Sequence, residues 1–159
     1  MKRCGALWAL LWCASAAAQD LDAALAVRAI AEVELRSTKG GREIVKLVPA
    51  DRLVPGDRVI YTLEVRNQSA ARLDSPIVTR RVPEHMQYVA DSAVGPAAMV
   101  SYSVDGGRSY SRPEDLSITN SDGSVRAAVA ADYTHIRWRL NNPLQSNSVA
   151  FVRFRALVK

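Results

Sequence analysis

The chain has 159 residues, of which 48% are hydrophobic, and its formal net charge is +5. These values suit one globular domain that buries its own core, and they exclude a disordered chain.

The first 18 residues are predicted to be a secretory signal peptide. A basic start precedes an apolar run and a string of small residues, in which Ala16 and Ala18 meet the small-x-small requirement of a signal peptidase. Cleavage is therefore expected after Ala18. The apolar run is too short to span a bilayer, so no transmembrane segment is expected in the mature chain.

Both cysteines, Cys4 and Cys13, lie in this leader, and the mature chain would form neither a disulfide nor a cysteine metal site. A lipoprotein acylated at Cys13 is disfavoured, because the residue before the acylated cysteine of bacterial lipoproteins is small, whereas Trp12 is large. Without the leader, 21 − 2 = 19 basic residues face 16 acidic ones, a net charge of +3. This surplus comes with no nucleic-acid-binding motif, so no nucleic acid partner is expected.

Residues 19–29 are interpreted as an N-terminal segment, flexible or helical, because alanine is frequent there and helix propensity competes with strand. The predicted domain covers residues 30–159. Its first element is a hairpin in which residues 31–36 alternate between apolar and charged side chains, Gly40-Gly41 supply the turn, and residues 43–48 return.

The stretch VPGDRVIYTLEVRN, residues 54–67, predicts a turn followed by a half-buried strand. Pro55-Gly56 suit a type II turn, since proline fixes φ and glycine accepts positive φ. The strand after it has period two. Val59, Tyr61, Leu63 and Val65 take the inward face, and Arg58, Ile60, Thr62, Glu64 and Arg66 the outward face.

Three further segments continue the pattern towards the end of the chain. Residues 99–104 lead into an Asp-Gly-Gly turn at 105–107, and residues 116–125 form a hairpin around Asp122-Gly123. Residues 133–140 and 149–158 are the last two strands, and Trp138 is predicted to lie in the core. The predicted fold class is all-β, an Ig-like antiparallel β-sandwich of eight or nine strands.

The order of the segments AEVELRS, VPGDRVIYTLEVRN, VPEHMQYVADSA, SYSVDGGRSY, DYTHIRWRL and VRFRALVK resembles the bacterial conserved-repeat family, the "domain of unknown function eleven". The resemblance implies an Ig-like sandwich in an exported protein, and it implies no established activity. The chain departs from the family pattern at Gln68-Ser69 and Ser146-Asn147, where the family commonly has glycine, and at residues 79–83, where it often has an aspartate.

Candidates for catalysis are few. His85 falls in a loop and His135 on the wet face of a strand, and neither has a partner in its sequence neighbourhood. No nucleophile elbow and no metal-ligand cluster occurs, so neither an enzyme nor a cofactor is predicted. Residues 103–110 are similar to the Asp-box turn of sialidase propellers, which is itself structural, and they predict a hairpin turn.

The last two strands carry an arginine pattern. If they paired as a hairpin, four arginines would meet on one outward face: Arg137, Arg139, Arg153 and Arg155. Like charges opposed across strands are unfavourable, so such a patch needs an anionic ligand or an acidic neighbour such as Glu64. An ordinary solvated face is the simpler interpretation.

These observations favour a noncatalytic structural or interaction module of the bacterial cell envelope, placed in the periplasm or at the cell surface. The sequence does not identify the partner; envelope proteins and anionic polysaccharides are the candidates. The alternatives are a binder of anionic envelope polymers through the four arginines, and, less favoured, an exported enzyme of unrecognised type.

Overall fold

The computed structural model describes residues 24–159, and the predicted signal peptide and residues 19–23 lie outside this range. The described residues form ten strands in antiparallel sheets, which confirms the predicted all-β sandwich. The count exceeds eight or nine because several strands have only three residues. No helix among residues 24–159 has the length and hydropathy needed to cross a bilayer.

The larger sheet has five strands in the order β2-β1-β3-β10-β5, and every neighbouring pair is antiparallel. Its strands are β1 (Leu25–Lys39), β2 (Arg42–Pro49), β3 (Arg58–Asn67), β5 (Met86–Tyr88) and β10 (Val149–Val158).

The smaller sheet has three strands in the order β4-β9-β6, and a separate two-stranded hairpin joins β7 to β8. These strands are β4 (Ile77–Arg81), β6 (Ala98–Ser103), β7 (Ser117–Thr119), β8 (Val125–Ala127) and β9 (His135–Leu140). Two 3₁₀ turns, Pro113–Asp115 and Ala130–Asp132, precede β7 and β9.

The turn and strand predicted from VPGDRVIYTLEVRN are confirmed. Gly56 has a φ of 92°, and the Asp57 N–H donates to the Val54 carbonyl at 3.0 Å. All four predicted inward side chains of β3 are buried. Ile60 on the outward face is also buried, at 5% exposure, although the alternation predicted a wet position.

The core lies between the two sheets. Trp138 of β9 is fully buried, and its ring lies 6.1 Å from that of Phe154 on β10, which stacks at 5.0 Å on Tyr61. A ring contact between β9 and β10 shows that the two sheets pack face to face, and it confirms Trp138 as the core tryptophan. Beside it, Tyr102 stacks on Tyr133 at 4.4 Å.

The first hairpin is confirmed, with Gly40 and Gly41 at φ values of 60° and 76° between β1 and β2. The proposal that residues 19–29 are flexible or helical is wrong for the end of that segment, because β1 already begins at Leu25. Leu25 to Val33 pair with β3, and this ladder outweighs the local helix propensity of the alanines.

Asn67 closes β3 from a fully buried position. Its amide donates to the carbonyls of Ala71 at 2.8 Å and Leu144 at 2.9 Å, and its Oδ1 accepts from the backbone N–H and the hydroxyl of Ser69. One amide side chain thereby joins the loop after β3 to the loop before β10.

Candidate functional site

The structure divides the four arginines that the sequence placed on one face. β9, with Arg137 and Arg139, belongs to the three-stranded sheet, whereas β10, with Arg153 and Arg155, belongs to the five-stranded sheet. In both strands the residues between the arginines are buried, so the arginines project from opposite sides of the sandwich. The prediction of one basic surface is wrong, because β9 and β10 do not pair with each other.

On the five-stranded side, Arg155 is neutralised within the sheet. Its Nε donates to Glu34 Oε1 at 2.9 Å, and Glu34 also pairs with Arg36 at 3.1 Å. Burial works to raise the pKa of Glu34, but hydrogen bonds from Arg155 and Arg36 bring the pKa below its usual value. Since β3 lies between β1 and β10, this ion pair spans β3 near Ile60, which explains the burial of that outward residue.

The acidic neighbour suggested for these arginines was Glu64, but Glu64 instead pairs with Arg66, at 3.4 Å. Arg153 is exposed, and its backbone forms an isolated bridge with Val94. The outer face of the five-stranded sheet therefore presents a mixed charge pattern rather than a basic one.

On the three-stranded side, Arg137 is held in place by an aromatic ring. Its Cζ lies 3.5 Å from the centre of the Tyr110 ring, a cation–π contact. Its Nε is buried and has no hydrogen-bond partner among residues 24–159. Arg139, two residues along on the same face, is exposed.

The loop that supplies Tyr110 is the predicted Asp-Gly-Gly turn. Asp105 accepts hydrogen bonds from the hydroxyls of Ser109 at 2.6 Å and Ser103 at 2.7 Å, and from two backbone N–H groups. These bonds, that of Ser109 foremost, lower the pKa of Asp105 well below its usual range. The carboxylate thus holds the turn that the Asp105-Gly106-Gly107 sequence predicted.

The two histidines of the described residues, His85 and His135, form no catalytic pair with a carboxylate. His135 is half-buried, its Nδ1 lies 3.1 Å from Thr134 Oγ1, and burial together with the charge of Arg81 lowers its pKa. Within the described residues, neither histidine side chain makes a hydrogen bond or ion pair with an acidic residue. No group of three or more metal-ligating side chains occurs among residues 24–159.

A groove of about 760 Å³ lies between the first residues of β1 and the edge strand β4. It is lined by Leu25 and Val27 of β1, by residues 72–79, and by Arg137 of β9. Its volume falls within the range of about 300–1,000 Å³ that is typical of ligand-binding pockets.

Among residues 24–159, both strands beside the groove have edges that pair with no other strand. β4 is an end strand of its sheet, with β9 as its one neighbour. β1 pairs with β2 only from Glu32 onwards, so its first residues pair with β3 alone. An unpaired edge offers a row of backbone donors and acceptors to another strand.

No family model, no curated protein and no solved structure matches the chain. The resemblance to the conserved-repeat family stays a prediction.

Sequence reasoning did not find the groove, because which edges stay open depends on the order of strands in the two sheets. One local signal was present. Thr79-Arg80-Arg81-Val82-Pro83 places two arginines and a proline at the end of a short strand, a composition typical of sheet edges.

Proposed function

We propose that this protein is a noncatalytic interaction module of the bacterial cell envelope, exported by its N-terminal leader, which acts by holding another polypeptide. One observation carries the proposal: two unpaired strand edges, from β1 and β4, border one groove with apolar walls. The leader pattern and the resemblance to an exported family support the compartment. The four arginines give no support to a polymer-binding face, since they lie on opposite sheets.

The proposal is tested by photocrosslinking in intact cells of the native host. A benzoylphenylalanine placed at Ile77, which lines the groove and is 44% exposed, should give a discrete crosslinked product with an envelope protein. The matched control carries the same group at Val125 on the β7–β8 hairpin, which is 67% exposed and outside the groove. Equal products at both positions, or none at Ile77, would contradict the proposal.

Export is tested separately by the mass of the protein isolated from the same cells. Loss of residues 1–18 is expected. An intact Met1, or a lipid on Cys13, would contradict the predicted leader.

A further inference from the structure

We infer that the groove receives an extended, acidic segment of a second polypeptide, which adds to β4 as a new edge strand. This inference rests on the proposed function, because it names the surface and the chemistry through which the module holds its partner.

Within the part of the chain that the structure describes, the backbone of β4 has a free hydrogen-bonding edge. Its pairing with β9 is bounded by the Leu140 N–H, which donates to the Pro76 carbonyl at 3.0 Å, and the Val82 N–H, which donates to the Thr134 carbonyl at 2.8 Å. In an antiparallel pair, alternate residues point their backbone groups at the partner strand. The remaining residues of β4 therefore direct theirs away from β9: Ile77, Thr79 and Arg81.

The groove runs along this free edge. Its lining includes the buried Val78, which faces the core, and also Ile77 and Thr79, which face outward. Side chains from both faces of one strand border a single groove when the groove follows the edge of that strand. A strand placed there would meet the three free backbone positions of β4 directly.

Apolar side chains of the partner would find uncovered surface beside that edge. Val27 shares the inward face of β1 with the buried Val33, yet it is 47% exposed. Ile77 is 44% exposed on the other wall. Both line the groove, so an added strand with alternating apolar residues would remove this surface from water.

Charge in and beside the groove favours an acidic strand. Arg72 is already paired with Asp74 at 2.7 Å, whereas Arg137 lines the groove, is held by its ring contact and has no acidic partner among residues 24–159. Arg80 has no acidic partner among the described residues. Arg80 directly follows Thr79, a groove residue, on β4. A carboxylate on the incoming segment would form a charge-assisted hydrogen bond with the guanidinium of Arg137.

The same charges argue against a second copy as the occupant. β4 has two arginines and no acidic residue, so a second β4 strand would bring no carboxylate to the groove and would add positive charge beside it. The charge of β4 therefore disfavours pairing with a second copy of β4 and favours pairing with an acidic strand.

Binding is measured by fluorescence anisotropy with the protein as its native cells process it. The probe is a labelled, end-blocked heptapeptide that alternates valine with threonine and has a central glutamate; its matched control has glutamine there. Saturable binding, about tenfold tighter for the glutamate peptide, is expected, since hydrogen bonds to charged groups are the stronger ones.

Two further probes carry N-methyl groups on alternate amides. One probe is methylated at the odd-numbered positions and the other at the even-numbered positions, so each blocks one edge of the peptide. An added strand pairs with β4 through one edge, so one phase should lose at least tenfold in affinity and the other should bind within about threefold of the parent. Equal effects of the two phases, or no saturable binding, would overturn the inference.

Variants of the protein locate the site. Thr79→Pro removes an N–H that faces away from β9, and edge positions of this kind tolerate proline, so binding should fall at least tenfold while Thr79→Ala binds like the parent. Arg137→Gln should abolish the preference for the glutamate peptide, and Arg139→Gln, on the same face but outside the groove, should keep it. If Thr79→Pro does not fold, the comparison of Arg137→Gln with Arg139→Gln locates the binding site. Unchanged preference in Arg137→Gln would overturn the inference.

The remaining occupants are separated by two measurements. Dimerisation that the peptide competes away would assign the groove to a second copy, and nuclear Overhauser contacts from residues 19–23 to Ile77 would assign it to the chain itself; either overturns the inference. In cells, crosslinking at Ile77 that is as strong with Thr79→Pro as with Thr79→Ala would leave the proposed function intact and overturn strand addition.

Discussion

Asn67→Asp is the substitution that tests the link between the loops after β3 and before β10 most directly. It keeps the size of the side chain but replaces its two N–H donors with a carboxylate oxygen that faces the carbonyls of Ala71 and Leu144. The bond to Leu144 is buried, and an unpaired buried acceptor costs about 1–3 kcal/mol; the half-buried bond to Ala71 contributes about 1 kcal/mol. The free energy of unfolding should therefore fall by about 2–4 kcal/mol at neutral pH.

The pH dependence separates this mechanism from a general packing defect. Burial against carbonyl oxygens raises the pKa of the new carboxyl in the folded state above its unfolded value of about 3.9. The folded variant then binds a proton that the unfolded chain lacks, so its deficit relative to the parent shrinks as pH falls towards that value. Urea unfolding across this range measures the deficit. Asn142→Asp, at an exposed loop position, is the matched control and should change stability by no more than about 0.5 kcal/mol. A deficit below about 1 kcal/mol, or one that grows in acid, would refute the assigned hydrogen bonds.

Three further substitutions test the core and the sheet. Trp138→Ala should cost about 3–5 kcal/mol in urea unfolding, because the ring is fully buried between the sheets; a cost below about 1 kcal/mol would contradict its place there. Glu34→Gln should cost about 1–2 kcal/mol, since the Glu34 side chain is 6% exposed and accepts from two arginines, whose own charges are partly screened at 37% and 50% exposure. Because the pKa of Glu34 is lowered, this contribution is present above the unfolded pKa of about 4.3 and lost as pH falls, so parent and variant should converge in acid, and divergence would exclude the ion pair. Gly95→Ala should cost about 1–3 kcal/mol by thermal or urea unfolding, because the new Cβ would lie 2.7 Å from Val152 Cγ1, and an unchanged midpoint would show that this approach is not close.

The features that the sequence predicted well are encoded within a few neighbouring residues. The alternation of β3 follows from the period of a strand, and the turns at Gly56 and Gly40-Gly41 follow from positive φ values that glycine accepts without strain. The network around Asp105 is likewise local, since its partners all lie within four residues. Such elements need no knowledge of the rest of the fold.

The arrangement of the last two strands required information that no short window holds. The outward directions of Arg137 and Arg153 were predicted correctly, but β9 ends at Leu140 and β10 begins at Val149, and the connection of residues 141–148 crosses from one sheet to the other. Strands that follow each other in sequence are often neighbours, yet hairpin loops usually have two to five residues. The connection of residues 141–148 is longer than a usual hairpin loop, and this length indicates that β9 and β10 do not form a hairpin.

The parallel course of β1 and β10 has a mechanical consequence. Each strand runs antiparallel to β3, which lies between them, and both begin beside the same end of β3, where Leu25 faces Asn67 and Val149 faces Arg66. A pulling force between Leu25 and Val158 would therefore drag β1 and β10 lengthwise along β3 in opposite directions. Both ladders would be loaded in shear, with their hydrogen bonds sharing the tension, instead of being unzipped one bond at a time. Under such a load, resistance is governed by the height of the unfolding barrier and not by equilibrium stability.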